Sequence, residues 1–407
     1  MAMKILIYGI NFSPELTGIG KYSGEMAGWL VDQGHDVHVI TAPPYYPKWA
    51  ITEGYKNRYS RTVEGHLDIL RCPLFVPSKP TGLSRLVHLM SFSLTSFFPV
   101  LGAGLWKPDV VIQVAPTLFC SIQALILSRL AGALSLVHIQ DYEVDAMVGL
   151  SVVNGGIIRR LAFWLERHIL NRFDLVSTIS KGMMDRAAAK GISKEKLVFF
   201  PNWSEIERFK DVKKNNKFLL ELGIEPQKKI VLYSGNMGEK QGLDMVVRTA
   251  KRMEAKTEIQ FIFVGQGADK SRLEKMSEAL ALKNLIFLPL QPYEKLPDLL
   301  ASADCHLVVQ KSGAADAVLP SKLTNILAVG GNAVITASTN TTLGALCRDF
   351  EGIGTLVEPE SITALEDGII TALKMPQPNS IAQQYAQKFL DKDRVLNQFL
   401  NDLKKKG

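Results

Sequence analysis

The segment from Cys305 to Gly331 holds the residues best suited to chemistry. An apolar strand, Cys305–Gln310, leads through small residues to Pro320-Ser321-Lys322, and a helix is predicted from there to the double glycine Gly330-Gly331. Pro before a capping Ser suits a helix start, and Gly330 suits its end. The first N–H groups of a helix lack intrahelical partners and carry partial positive charge. Lys322 adds a full cation in that turn, where it opposes the dipole unless an anion sits in front of it. Ser321 and Lys322 therefore read as half of a diphosphate site.

Three further loops carry glycines at predicted strand ends. Lys229–Ser234 leads into Gly235-Asn236, then Lys240 and Gly242, a second anion cradle on the same predicted sheet or else a surface loop with a solvated lysine. Gly265-Gln266-Gly267 ends the next strand as a tight turn that contributes backbone. The first strand is followed by Thr17, Gly18 and Gly20 ahead of a helix, where backbone can approach a phosphate or sugar, or simply turn. This last spacing fits neither the dinucleotide fingerprint nor a P-loop, since residues intervene after the strand, Glu15 stands in the loop and Tyr22 follows Lys21. His138 and Asp141, with Glu143 and Asp145, lie at another strand's carboxyl end and could shape a polar sugar site, or be a core histidine beside an acid-decorated helix start. A metal site from Asp141, Glu143 and Asp145 is the minor alternative and none is expected; Asp391 and Asp393 formally match a short Asp-x-Asp metal motif, but on the terminal helix they read as solvated charge.

The elements that must position these residues form a repeated α/β pattern. At 407 residues two domains are expected. The predicted strands are Lys4–Gly9, Asp36–Thr41, Leu67–Arg71, Val110–Val114, Ser135–Gln140 and Leu175–Thr178, then Lys229–Ser234, Gln260–Val264, Leu285–Leu288, Cys305–Gln310, Ala333–Ala337 and Gly354–Val357. Helices such as Gly20–Gln33 separate them, so parallel sheets covered on both faces are expected. A linker at Pro201–Phe209 divides residues 1–200 from 210–380, and a terminal helix, about 381–407, is expected to fold back on the first domain.

A net charge of +7 and a pI near 9.0 favour an anionic partner, but no Lys/Arg stripe interleaved with aromatics occurs, which argues against nucleic acid. Cys72, Cys120, Cys305 and Cys347 are scattered, so disulfides and zinc are not expected and the cytoplasm fits. The amino terminus runs into a strand without a signal-peptide pattern. Leu86–Trp106 carries no formal charge; it is read as a buried helix broken at Pro99, with a membrane-interface helix as the alternative.

Gly18-Ile19-Gly20, Thr178-Ile179-Ser180, Pro201-Asn202-Trp203, Tyr233-Ser234-Gly235, Val264 to Gly267 and Pro320-Ser321-Lys322 with Ala328-Val329-Gly330 together resemble the GT4 glycosyltransferases of GT-B fold, in order along nearly the whole chain. Within that family the chain is most similar to transferases of colanic acid, an exopolysaccharide of enteric bacteria, through the run from Gly313 to Lys322 as well. The resemblance implies two Rossmann-like doubly wound domains facing across a cleft. It implies transfer of a sugar from a nucleotide-diphosphate donor with retention, no required metal or other cofactor, and a lipid-linked saccharide acceptor at the inner face of the cytoplasmic membrane, where the protein would be peripheral. GDP-fucose is the donor it suggests. The family's paired glutamates fall on Ala317, beside Asp316, and on Asn325; its phosphate arginine and lysine fall on Asn236 and Gln241, with Lys240 one position early.

The donor site is thus expected to comprise Gly18, Gly20, Gly235, Asn236, Lys240, Gly265, Ser321, Lys322 and Asn325, with His138 and Asp141 as catalytic candidates. The leaving phosphate itself can take the acceptor proton. An epimerase of the same shape and a non-catalytic sugar-nucleotide binder are the competing readings.

Overall fold

The structure, a computed structural model, describes residues 2–15, 18–79, 81–145, 156–312 and 320–406. The chain divides into two compact units, Met1–Phe200 with Gln398–Gly407, and Pro201–Asn397.

The first unit is built on eight strands, β1 (Lys4–Tyr8), β2 (Asp36–Thr41), β3 (Ser60–Glu64), β4 (Leu67–Arg71), β5 (Val110–Ala115), β6 (Leu134–Ile139), β7 (Leu175–Thr178) and β8 (Leu197–Phe199), in the order β3-β4-β2-β1-β5-β6-β7-β8. Central strands such as β5 are buried along their whole length, as a sheet covered on both faces requires. All pairings are parallel except β3 with β4. Neither β3 nor β8 is among the expected strands. The first is exposed throughout and has no apolar run, and the second is three residues long.

The second unit holds six parallel strands, β9 (Lys229–Ser234), β10 (Ile259–Val264), β11 (Leu285–Leu288), β12 (Cys305–Val308), β13 (Ala333–Thr336) and β14 (Thr355–Val357), ordered β11-β10-β9-β12-β13-β14. The order reverses between β9 and β12, and between β1 and β5 in the first unit. At such a switch point the connections leave for opposite faces and open a crevice at the strands' carboxyl ends. This puts Gly235-Asn236 and the Lys322 helix on its two sides in one unit, and the Gly18 segment beside the other.

Local expectations shift in four places. The first helix spans Gly18–Asp32, so Gly18 and Gly20 lie inside its opening turn rather than ahead of it. Pro320 is the N-cap of the helix Ser321–Val329, so Ser321 is its first residue rather than its cap; Gly330 ends it in the left-handed conformation at φ 73°. The tail is two helices: Ser380–Phe389 belongs to the second unit, and Lys392–Lys406 ends in the first. Asp391 stands just ahead of that last helix and accepts its Arg394 N–H at 2.9 Å.

The fourth shift concerns Pro99. The helix Gly82–Gly102 continues through it, because the one N–H it lacks is a local loss in a 21-residue element, and a short 3-10 turn, Ala103–Trp106, prolongs it. It is not buried: Leu83, Leu94 and Phe98 are 70%, 72% and 78% exposed. Its inward face buries Leu89, Phe92 and Val100 together with polar groups. Ser96 meets the Tyr8 hydroxyl at 2.6 Å, and Ser93 accepts from Gln123 Nε2 at 2.8 Å.

Candidate functional site

In the second unit the site grows from the end of β9. Tyr233 is buried, and its hydroxyl donates to Asn236 O at 2.5 Å, which folds the loop back over the ring. Lys322 Nζ sits 4.2 Å from the centroid of that ring. Gly235 lies beside both: a Cβ there would be 3.8 Å from Lys322 Cδ and from the Tyr233 hydroxyl. The structure thus brings Gly235, Asn236 and Lys322 together on one aromatic face, and Tyr233, noticed in sequence only as part of a motif, is the residue that joins them.

Lys322 has no carboxylate within ion-pair distance among the described residues. Burial of the unpaired ammonium pushes its pKa down to about 7. The helix it belongs to has no side-chain cap, so its opening N–H groups also lack a protein acceptor from that source. A half-charged amine and an uncapped helix end on one spot form a place that an anion would complete.

The loops after β9 and β10 touch backbone to backbone. Gly235 N donates to Val264 O at 3.0 Å and Met237 N to Gln266 O at 2.7 Å. Gly265 adopts φ 148°, and a Cβ on it would fall 2.0 Å from Gly235 O. Gly265 therefore acts by letting the Gly235-Asn236 loop approach. Lys240 is exposed in the 3-10 turn Glu239–Gln241, with its carbonyl accepting from Lys311 N at 2.9 Å, and lies outside the Tyr233 contact set. Ser321 is exposed at the helix start. Asn325, one turn further on, accepts a hydrogen bond from Ser204 Oγ at 2.8 Å. The run Gly313 to Leu319, with Asp316 and Ala317, and Thr17 in the first unit lie outside the described residues.

In the first unit Glu15, which the sequence reading used only to reject a P-loop, organises the β1 end. Its buried carboxylate accepts from Tyr45 N at 3.1 Å, Tyr46 N at 3.0 Å and Asn11 Nδ2 at 2.9 Å. Burial holds its pKa above the usual carboxylate range, against the pull of these bonds. Gly20 leaves it room, since a Cβ there would lie 2.4 Å from Glu15 Oε2. Gly18 lies against the Tyr46 ring, and the charges of Glu15 and Asp141 raise the Tyr46 phenol's pKa beyond what burial does. Gly18 and the exposed Asp141 thus share one edge.

His138 lies deeper, on β6. Nδ1 is 2.9 Å from Ser177 Oγ and Nε2 2.9 Å from the Gln140 amide nitrogen, so a neutral ring donates through Nδ1 and accepts at Nε2. Burial pushes its pKa down to about 3, which keeps it uncharged at neutral pH. Five residues on in the chain, Glu143 accepts from Leu118 N at 2.7 Å, and burial raises its carboxyl to about 7. The folded pKa exceeds the ordinary one, so this group's contribution to stability is complete below the ordinary carboxyl range and is lost as pH rises through about 7. Glu143→Gln keeps an acceptor for Leu118 N–H. It should flatten the fall in melting temperature between about pH 5 and 8, a difference of about 2–3 kcal/mol at the alkaline end. Calorimetric melts across that range check it; parallel curves for the two proteins would contradict it. Among the described residues no group of three or more His, Cys, Asp or Glu is placed to hold a metal ion.

Comparison with known proteins extends over both units. The family described as "Glycosyl transferase 4-like domain" matches residues 17–203, and that described as "Glycosyl transferases group 1" matches residues 215–389. The chain is 56% identical over 408 aligned residues to the Escherichia coli (strain K12) "Putative colanic acid biosynthesis glycosyl transferase WcaI", covering 99% of this chain and 100% of that one. Among solved structures it resembles sucrose-phosphate synthase from Thermosynechococcus elongatus, with a TM-score of 0.74 at 15% identity over 98% of each chain. It also resembles Anabaena Alr3699/HepE in complex with UDP, with a TM-score of 0.71 at 17% identity over 99% of this chain and 100% of that one.

Proposed function

The chain belongs to the GT4-type glycosyltransferases of GT-B fold, and from that premise we propose that it draws a sugar from a nucleoside diphosphate donor and passes it, with retention, to a lipid-linked saccharide in colanic acid assembly. The observation that carries the donor half is the unpaired Lys322 ammonium over Tyr233, beside Gly235-Asn236 and an uncapped helix end. The HepE complex with UDP supports a nucleoside diphosphate as the ligand, and the WcaI relative supports the pathway. We take GDP-fucose as the donor sugar nucleotide.

As the glycosidic bond breaks, its electron pair stays on the diphosphate oxygen and charge grows there. Lys322 and the helix N–H groups stabilise that charge before any solvent could reorganise. The leaving phosphate then accepts the proton of the attacking hydroxyl, so no metal and no protein base is required. His138, neutral and held at both nitrogens, would serve as a fixed wall of the sugar or acceptor site, with Asp141 as its exposed polar group.

A lipid-linked acceptor requires the protein to work at a membrane surface, and we place it peripherally on the inner face of the cytoplasmic membrane. The outward apolar stripe of Gly82–Gly102 supports this. So does the helix Gly156–Leu170, where Ile157, Leu161 and Trp164 are 83%, 60% and 58% exposed on an element that also carries Arg159, Arg160 and Arg167. Leu94→Glu with Phe98→Glu should lower sedimentation with vesicles containing anionic lipid at least tenfold while leaving the melting temperature unchanged. Undiminished sedimentation would remove the stripe from the surface.

Incubation with GDP-fucose and a lipid extract bearing the saccharide acceptor tests the reaction. Labelled lipid product with the anomeric configuration retained is expected. Conversion of donor in the absence of any acceptor points to the epimerase, and binding without either product to a non-catalytic sensor.

A further inference from the structure

The loop after β2 reads Pro43-Pro44-Tyr45-Tyr46-Pro47-Lys48-Trp49, and of its three aromatic side chains only Tyr45 is buried. The loop is pinned from beneath. Glu15 accepts the N–H groups of Tyr45 and Tyr46, Pro44 O accepts from Thr52 N at 2.8 Å, and the Tyr45 ring meets His88 edge-on with centroids 4.7 Å apart. Tyr46 is left 41% exposed, with its ring against Gly18 and its phenol within electrostatic reach of Asp141 and Arg85. Trp49 is partly buried, its ring centroid 5.5 Å from the Arg85 guanidinium and 5.2 Å from the His88 ring. The Tyr46 hydroxyl, the Trp49 indole N–H and the Arg85 guanidinium have no hydrogen-bond or ion-pair partner among the described residues.

Two features of this cluster are unfavourable in themselves. Trp49 sits at φ 53°, in the left-handed region that bulky residues rarely adopt. His88 is 1% exposed and gives its Nδ1–H to Phe75 O at 2.5 Å, which leaves Nε2 a buried acceptor without a partner. Strain and unmet polar groups persist mainly where a site needs them. Aromatic faces with free hydrogen-bonding edges suit a pyranose: its C–H face lies on the electron-rich ring, and its hydroxyls bond around the rim. Arg85 belongs to the helix Gly82–Gly102, whose Leu83 and Val87 are exposed. A chain of contacts thus runs from that apolar stripe through a cation and two aromatic rings to Gly18 and Asp141.

We infer that Tyr46 and Trp49 form a stacking platform for a sugar ring of the lipid-linked acceptor, with Arg85 on its lipid side. This rests on the acceptor reading above.

Two measurements on the full-length protein separate the proposal from that reading. One compares acceptor KM with donor KM in transfer from GDP-fucose to the lipid extract. The other is saturation-transfer NMR with free lactose, cellobiose and maltose, which needs no turnover. Tyr46→Leu and Trp49→Leu are each expected to raise acceptor KM roughly tenfold and to weaken the saccharide signal, with donor KM and vesicle sedimentation unchanged. Tyr46→Phe and Trp49→Phe keep a ring and should restore both. A purely structural loop would move the melting temperature and both KM values together. Where transfer occurs, an unchanged acceptor KM in both Leu variants, or an equal rise in the two KM values, overturns this proposal alone. Where transfer fails with every acceptor, the acceptor reading falls. Ring-dependent saccharide binding then still supports the platform, and its absence for all three sugars overturns the platform as well.

Discussion

Lys322→Met is expected to weaken nucleoside diphosphate binding at least a hundredfold at pH 7 and to reduce turnover at saturating donor by a similar factor. The amine stands over the Tyr233 ring that bonds Asn236's loop, and a leaving diphosphate carries more charge in the transition state than in the ground state, so both KM and kcat should suffer. The pH dependence has a defined sign. Burial pushes the free amine's pKa down to about 7, while a bound diphosphate would favour its charged form. Donor affinity should therefore fall about tenfold for each pH unit above 7, with proton uptake on binding, until the bound-state pKa is passed. Stability without ligand runs the other way. The unfolded chain holds this proton to higher pH than the folded one does, so this group's term makes the unliganded protein more stable as pH rises from about 7 toward the ordinary lysine range. Titration calorimetry at several pH values, in buffers of different ionisation enthalpy, measures both uptake and slope. A Lys322→Met protein with the wild-type slope would show that another group binds the phosphates.

Gly265→Ala should be the most damaging single methyl addition near the site. Its φ of 148° is a conformation L residues rarely adopt, and the added carbon would meet Gly235 O at 2.0 Å. Gly267→Ala meets Met237 O at 2.2 Å with φ 157°. The neighbour in each case is main chain, tied into the ladder by Met237 N to Gln266 O, and cannot rotate away. A loss on the order of 4 kcal/mol is expected for either, with donor binding abolished because the loop carrying Asn236 is displaced. Gly28→Ala is the control. It lies inside the helix Gly18–Asp32 with nothing within 4 Å of the added carbon, and should stabilise by up to about 1 kcal/mol. Chemical denaturation of the three variants ranks them; a Gly265→Ala protein as stable as wild type would mean the two loops do not need their close approach.

Much of this architecture could be read from residue order, because buried parallel strands must be continuous apolar runs. Val110–Val114 and Gln260–Val264 announced themselves in this way, as did the stop at Gly330. The exposed edge strand Ser60–Glu64 did not, since its pairing comes from a neighbour rather than from its own pattern. The helix at Leu86–Trp106 showed its length but not its orientation. Composition cannot say which side of a helix finds Tyr8 and Gln123 to bond its serines beside the buried Phe92 and Val100, and so which side leaves Leu83, Leu94 and Phe98 exposed.

The site divides along the same line. Residue types and local spacing alone marked Lys322 at a helix start and Gly235-Asn236 at a strand end, because helix termini and strand-end glycines are local features. Tertiary structure alone decided that Tyr233 joins them, that Glu15 fills the space beside Gly20, that both nitrogens of His138 are engaged, and that Ser204, far away in the chain, hydrogen-bonds to Asn325. Each of these depends on which strands the sheet places side by side, and hydrogen bonds and desolvation act only over the few ångströms that this adjacency creates.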